Sequence, residues 1–502
     1  MMNNFAVSPK DLPALVAKAR IAQDAWARLP YGKRAGHLKK IGPYLGTHGD
    51  ELVETIHRGS GKLAYDALST ELLSAVMALS YYIGHGKRFL ASRHIGLGNI
   101  LMFNKLSRMV YKPYGVIGIM SPWNFPLAIP FSEVVMALLA GNAVILKTAS
   151  STPEVGRALA AIFAAAELPE GLFSYVEIKG AAAGRAFISG GVDKIFFTGS
   201  SATGKELMAL AAPRLLPLVL ELGGADAAVV CSDADLDKAA KGIIWAGFSN
   251  AGQNCGGVQR VLVFKDVYES FLKTLCALVE QLRPGDDLDS DMGPLHSPRQ
   301  KQAVKKQVEA CLAQGAKIAA QSPGSLDSKD LFAPAMVLTD IKDLMPVMTE
   351  EIFGPVVAVI PVADGDEAIR LANSSPYGLS GSVWSRNHGR AKKLAARINA
   401  GSVMINDHLM SYGLAETPWG GFGDSGLGRT HGELGFREML KAQVIVDDAL
   451  PLSKRSLVWQ PYSPKLYQGV RAIVDFLAGP SLGRRLKAVP GVMNTFFRYW
   501  KK

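Results

Sequence analysis

Between residues 114 and 221, short runs rich in β-branched and aromatic residues alternate with segments of helical periodicity. That alternation leaves few folds open. YGVIGIM (114–120), AVILK (143–147), FSYVEI (173–178), DKIFFTG (193–199) and LVLEL (218–222) read as strands apolar along their whole length. Such strands are buried on both faces, as in parallel sheets. The segments near 127–140, 152–166 and 201–212 read as the intervening helices. Parallel neighbours need a crossover, usually a helix, so the series predicts a doubly wound α/β sheet. Further strands at 226–231, 259–264, 355–362 and 402–406, with helices between, predict a second α/β domain beyond Gly223-Gly224. A chain of 502 residues exceeds what one core supports. Near the start, Ser8 as cap and Pro9 at the first helical position predict an amphipathic helix over 10–28.

Open α/β sheets bind ligands beyond the carboxyl ends of their strands. In SPWNFPLAIP (121–130) a strand runs into a loop bracketed by prolines, which fixes Asn124 at such an end. Its amide can donate to a developing oxyanion. FTGSSATG (197–204) follows a strand and opens a helix, so Gly199 and Gly204 let the backbone come close to a pyrophosphate at a helix N-terminus. Gly426, Gly428 and Gly432 follow PWGGFGDSG rather than a strand and read as loop geometry. Cys255, set among small residues in FSNAGQNCGGVQR (248–260), has an open approach and reads as a nucleophile. Glu221 in LELGG (220–224) reads as its base, which points to chemistry through a covalent thioester. Lys147, ending a strand, can reach a ribose or phosphate; a solvated strand-end lysine is the competing reading. Glu351 in EEIFGP (350–355) can accept from a second ribose, with Phe353 packing beside it. The four cysteines, Cys231, Cys255, Cys276 and Cys311, form neither a disulfide framework nor a metal cluster.

Taken in order, SPWNFP, LKTAS (146–150), FTGSSATG, LELGG, GQNC (252–255), EEIFGP and PWGGFGDSGLGR (418–429) resemble the motif set of the NAD(P)-dependent aldehyde dehydrogenase superfamily. The resemblance runs from about residue 10 to 447. It implies a Rossmann-type cofactor domain over 1–223, an oligomerisation hairpin near 98–112 and an α/β catalytic domain over 224–420. A return to the cofactor and oligomerisation region over 421–450 would follow, and then a tail over 451–502. It implies Asn124 as oxyanion donor, Glu221 as general base and Cys255 as nucleophile, its pKa lowered by electropositive surroundings. NAD(P)+ would be held by Lys147, Ser200, Glu351 and Phe353, with Ser121, Pro122, Trp123, Gly199, Gly204 and Leu222 around it. The aldehyde pocket would include Phe125, Asn254 and the small residues Ser249 and Gly256, with Trp419 in its wall. The family assembles as homodimers or homotetramers.

Two departures from the family pattern shape specificity. Ser150 stands where many NAD-preferring relatives carry Glu, so a 2′-phosphate is not repelled and NADP is tolerated. Ser132, eight residues after Asn124, stands where succinic semialdehyde oxidisers tend to place an arginine. The pocket is thus expected to lack a carboxylate clamp and to take a long-chain or bulky hydrophobic aldehyde. Glu221 favours hydrolysis over transfer to coenzyme A. The rivals are a coenzyme-A-acylating enzyme and a non-catalytic membrane-surface scaffold on the same fold.

Of the net charge of +11, the tail over 451–502 carries +9. The body is therefore nearly neutral, which argues against nucleic-acid binding. Leu466, Tyr467, Val470, Ile473, Val474 and Leu477 recur at helical spacing opposite Lys465, Gln468, Arg471 and Asp475. Val492, Met493, Phe496, Phe497 and Trp500 form a second stripe, flanked by Arg498, Lys501 and Lys502. Basic amphipathic helices of this kind suit an anionic membrane surface; packing on the enzyme is the other reading. No continuous apolar run reaches the roughly 18 residues of a bilayer span. The expected location is cytoplasmic, with the tail peripheral at a membrane.

Overall fold

The computed structural model describes residues 5–99, 102–449 and 455–500. Two compact units are formed, one from 1–90 with 112–441 and one from 91–111 with 442–502.

The first unit holds two mostly parallel sheets, each with one antiparallel edge strand. In the six-stranded sheet the spatial order is Gly426–Leu427, Leu218–Glu221, Lys194–Thr198, Val116–Met120, Ala143–Lys147 and Phe173–Tyr175. Every pair is parallel except Gly426–Leu427, which runs antiparallel to Leu218–Glu221. The chain winds outward from Val116–Met120 in one direction and then returns to wind the other way. The reversal falls between Val116–Met120 and Lys194–Thr198, the switch point where such sheets open a crevice. The seven-stranded sheet is ordered Lys317–Gln321, Met336–Thr339, Val356–Val362, Val258–Phe264, Asp226–Val230, Ser380–Trp384 and Ser402–Ile405. Its central strands are buried throughout, and helices such as Leu236–Phe248 and Lys265–Val279 pack on them.

Three local differences from the sequence reading have physical causes. The first helix is Leu12–Arg28 and does not begin at Pro9. Asp11 N–H donates to Ser8 O in a preceding turn, and Pro13 occupies the first helical turn, where its missing N–H costs nothing. The FSYVEI strand closes after Tyr175. Ser380–Trp384 is a fully buried strand that the reading passed over.

The helical stretch Ala64–Leu90 is, by length and mean composition, apolar enough to cross a bilayer. Its Ala75, Tyr82 and Phe89 are fully buried within the first unit. It is interrupted by one π turn, Ala67–Leu72.

The second unit contains a three-stranded sheet ordered Arg93–Ile95, Lys105–Pro113, Leu440–Asp448. Arg93–Ile95 pairs antiparallel with Lys105–Pro113, Arg93 opposite Met109. Positions 100 and 101 of the expected hairpin lie outside the described residues. The tail forms two helices, Pro464–Ala478 and Leu482–Phe496, each capped by a serine hydroxyl, Ser463 and Ser481. They pack against each other at close range. A Cβ on Gly469 would stand 2.0 Å from Thr495 Oγ1, and one on Gly491 would stand 2.6 Å from Ala472 Cβ. Leu457, Ile473 and Val492 form a small core with Phe103 and Phe496. Tyr467, Val470, Val474, Leu477, Met493 and Phe497 of the two predicted stripes remain exposed. The Trp500 side chain, Lys501 and Lys502 lie outside the described residues.

Candidate active site

Three loops meet at the carboxyl end of the six-stranded sheet. Ser121–Leu127 leaves the strand Val116–Met120 and enters the helix Ala128–Ala140. That helix's first N–H groups would otherwise be orphaned. Glu71 Oε2 accepts from both Leu127 and Ala128 N–H, each at 2.9 Å. The π turn swings Glu71 inward to do this, and Lys62 Nζ neutralises it at 2.8 Å with both side chains buried. Lys62 Nζ also sits 3.7 Å from the centre of the Phe125 ring. Sequence reading missed this pair, because nothing local links residue 71 to residue 127.

The nucleophile loop is held by strained backbone. Asn250, Ala251 and Gly252 are consecutive left-handed residues with φ of 50°, 54° and 69°. The two that carry a Cβ cost of order 1–2 kcal/mol each. Several hydrogen bonds fix the conformation. Asn250 N–H donates to Asp66 Oδ2 (3.1 Å), Gln253 Nε2 donates to Asn250 O (2.9 Å), and His296 N–H donates to Gln253 Oε1 (2.8 Å). Asn124 Nδ2 donates to Gln253 O at 3.0 Å, and Asn250 Nδ2 donates to Asn124 O at 3.2 Å. Asn124 and Cys255 are thus tied through one short network. The Cys255 backbone N–H donates to no described backbone or side-chain group.

Below the loop lies a group the sequence did not flag. His408 is fully buried, and burial pushes its pKa down to about 4, so the imidazole is neutral. Its Nε2 faces Gly256 O at 3.1 Å and its Nδ1 faces Ser382 Oγ at 2.8 Å. A carbonyl can only accept, so Nε2 carries the proton and Nδ1 accepts from the serine. His408 therefore anchors the residue following Cys255.

Among the described residues, Cys255 alone lines both of two cavities that flank it. The first, about 360 Å³, is predominantly apolar, with Leu73, Met77, Ile129, Trp245, Tyr412 and Leu414 in its wall. Of the predicted substrate residues, Phe125, Ser249, Asn254, Gly256 and Trp419 line it. Ser132 does not: it is buried within the Ala128–Ala140 helix. Ile129 and Glu133, one turn apart on that helix, face the site instead.

The second cavity, about 240 Å³, is lined by Pro122, Trp123, Asn124, Gly199, Ser200 and Glu221, and further by Leu222, Cys255, Glu351 and Phe353. Thr198, Gly223 and Gln300 also line it and were missed. Ser121, Lys147, Ser150 and Gly204 lie outside it. Lys147 ends its strand, where its carbonyl accepts from Ser121 N–H, and burial lowers its pKa. Ser150 is exposed beyond it, and Gly204 packs on Leu222.

The second cavity carries groups suited to holding part of a dinucleotide. A Cβ on Gly223 would stand 2.1 Å from Glu351 Oε2, so the glycine makes room for that carboxyl. Gly224 N–H donates to Glu351 Oε1 at 3.2 Å, aiming it. Trp123 stacks on His296 (4.2 Å, 9°) and meets Phe353 edge-on, and Gln300 Nε2 holds Phe353 O at 2.8 Å. Ser200 caps the helix Ser201–Ala211, whose N-terminal end favours a phosphate.

The electrostatics correct one expectation. Cys255 is half-buried and keeps a surface on the cavities, but protein encloses it otherwise. That desolvation pushes its thiol pKa up, with Glu351, Asp226 and Glu221 adding to the effect. The surroundings of the sulfur thus raise its pKa rather than lower it, opposite to the expected direction. Burial likewise pushes Glu221 well above the carboxylate range, helped by Glu133 and opposed by Arg429. Glu351 rises to about 8 for the same first reason, with Gly224 N–H opposing.

Comparison with known proteins bears on this geometry. The model of a family described as the aldehyde dehydrogenase family matches residues 3–445. A Methylomonas protein named 4,4′-diapolycopene aldehyde oxidase is 35% identical over 480 residues, covering 95% of this chain and 89% of its own. A protein of Mycobacterium ulcerans (strain Agy99), named for NADP(+)-linked succinate-semialdehyde dehydrogenase activity, is 35% identical over 464 residues, covering 90% and 88%. Among solved structures, the betaine aldehyde dehydrogenase of Staphylococcus aureus in complex with NAD+ superposes with a TM-score of 0.83. It has 27% identity, over 91% of this chain and 90% of that one. The NAD+ complex of a Bacillus cereus aldehyde dehydrogenase gives 0.82 and 32%, over 88% and 89%.

Proposed function

Because this chain belongs to the aldehyde dehydrogenase family and is an NAD(P)-dependent oxidoreductase, we propose that it converts an uncharged, hydrophobic aldehyde to the carboxylate through a thioester on Cys255. One observation carries the substrate reading. The 360 Å³ cavity that opens on Cys255 has no Lys, Arg or His among its described lining residues, and its single charged residue is Asp66. A carboxylate-bearing aldehyde would find no cation to pair with there. An alkyl or aryl chain would shed water against Leu73, Met77, Phe125 and Trp245, at about 0.8 kcal/mol per buried methylene. The name of the Methylomonas relative agrees with an apolar substrate. Succinate semialdehyde, in the name of the mycobacterial relative, carries a carboxylate this cavity does not clamp.

NAD(P)+, when bound, supplies the hydride acceptor and a positive charge. Glu351, Phe353, Trp123 and Ser200 would hold it, and exposed Ser150 would leave a 2′-phosphate unopposed. The Cys255 sulfur attacks the carbonyl carbon, and the oxygen takes up negative charge. Asn124 Nδ2 and the Cys255 N–H donate to that oxygen; one such donor is worth about 3–4 kcal/mol. Oxidation leaves an acyl group on the sulfur. Glu221, facing the same cavity, takes a proton from water, whose hydroxide displaces Cys255 from the acyl carbon.

Two surfaces extend this reading. The strand Leu440–Asp448 is an edge strand with Val444, Ile445 and Val446 exposed, which suits pairing with a second copy. The tail helices present apolar side chains beside Arg484, Arg485 and Lys487, which suits an anionic membrane surface.

The test is a panel of straight-chain aldehydes of rising length, aromatic aldehydes and succinate semialdehyde, each with NAD+ and NADP+. kcat/KM is expected to climb by up to about fourfold per methylene until the cavity fills, with both dinucleotides accepted. A preference for succinate semialdehyde over an apolar aldehyde of equal length would overturn the reading.

A further inference from the structure

A third cavity shares Cys255 with the other two. It measures about 10 Å³, room for roughly one water, and Glu133, Thr198, Glu221, Cys255 and Thr430 border it. Five polar atoms of its lining residues have no hydrogen-bond partner among the described residues: Glu133 Oε2, both carboxylate oxygens of Glu221, Thr198 Oγ1 and Thr430 Oγ1. An unsatisfied buried polar group costs about 1–3 kcal/mol, so gathering five around one small space demands a reason. Folding offers none for Glu133. It sits in the Ala128–Ala140 helix, whose residues are all buried, where an apolar side chain of similar volume would pack without that cost.

We propose that Glu133 is a positioning residue for the proton of Glu221: the two carboxyls share one proton across a water in the small cavity, and Glu133 holds it whenever Glu221 must act as base. The inference rests on the thioester reading above. Two carboxylates facing one enclosed space cannot both ionise cheaply, so they titrate as a pair. Burial pushes Glu133 up to about 8, and its charge raises Glu221 in turn. The other ionisable groups facing the pair are few. Arg429 favours the ionised form of Glu221 and Glu438 opposes it, while Tyr412 and Cys255 lie close to both carboxyls and are themselves raised. Glu71, from the π turn packed on the same helix, is tied to Lys62.

The hydrolytic step then closes without an external acid or base. With the shared proton on Glu133, ionised Glu221 takes one proton from water. The hydroxide bonds to the acyl carbon, and the carbon–sulfur bond breaks with its electron pair on Cys255. The sulfur, whose surroundings favour the thiol, takes the proton back from Glu221. Nothing is oxidised or reduced in this step, and the pair ends with the one proton it began with.

The experiment compares Glu133→Gln, Glu133→Met and Glu133→Asp with the unsubstituted protein, using an aldehyde that protein turns over. Rapid mixing reads the burst of reduced dinucleotide, and steady state reads the pH profile of kcat. A burst near one per site requires a folded site and qualifies each variant. Gln, which is neutral and donates as protonated Glu133 does, should leave the acid limb of kcat in place, whereas Met, which cannot donate, should move it up by about one pH unit. The Asp variant should keep the limb where the unsubstituted protein has it. Met, which cannot donate to the bridging water, should also slow hydrolysis about tenfold. An unmoved limb in the Met variant overturns the proposal, as does an equal upward shift in the Gln or Asp variant. Undiminished turnover by Cys255→Ala would instead overturn the thioester reading.

Discussion

At the scale of single residues the site depends on which small side chains leave room for larger ones. Gly223 is the clearest case, since a methyl there would stand 2.1 Å from Glu351 Oε2. Gly223→Ala should displace that carboxyl and raise the KM for dinucleotide about tenfold, the equivalent of 1.4 kcal/mol. The aldehyde KM should stay nearly unchanged, because Gly223 does not line the apolar cavity. Steady-state kinetics with each substrate varied in turn checks this. Cys255, Glu221, Asn124 and Glu351, singled out by their motifs, are brought together around one cavity. Ser132 misled because a fixed offset from Asn124 ignores helical phase. The helix starts at Ala128, so Ile129 and Glu133 share the face toward the site and Ser132 turns into the core. The direction of the thiol's pKa shift was misread for a different reason. Neighbouring glycines suggest access, but only the fold shows the burial and the three carboxyls around the sulfur.

At the scale of elements, strands buried on both faces were readable because such strands carry unbroken apolar runs. Ser380–Trp384 escaped because SGSVW looks like a turn. Its Ser380 is satisfied only through distant partners, the hydroxyl donating to Asp226 Oδ2 at 2.7 Å. The π turn Ala67–Leu72 was equally invisible, since its purpose lies some 57 positions along the chain, at the start of Ala128–Ala140. That turn delivers Glu71 as both cap and counter-ion. Glu71→Gln would strip the charge from its pair with Lys62 and leave a buried ammonium uncompensated, a loss of about 3–5 kcal/mol. Urea unfolding of the full chain should show the midpoint falling accordingly. The site should loosen with it, because the same helix start positions Phe125 and Ile129.

At the scale of the whole molecule, charge and apolar surface are distributed unevenly. The last 52 residues hold most of the net positive charge, and their two helices bury only part of their apolar stripes against each other. Each basic group near an anionic bilayer adds about 1 kcal/mol. Deletion of 451–502 should therefore abolish co-sedimentation with vesicles rich in anionic lipid while turnover of short, water-soluble aldehydes persists. Raising salt should weaken binding of the full chain in the same assay. Vesicle binding unchanged by the deletion would assign those helices to packing alone. A different consequence follows from the sulfur at Cys255 being the one wall common to an oily chamber and a polar one. Under the proposed chemistry, fuel and carrier would reach it through separate doorways. A spent carrier would then be free to leave, and water to enter behind it, while the acylated chain stayed docked in its own berth.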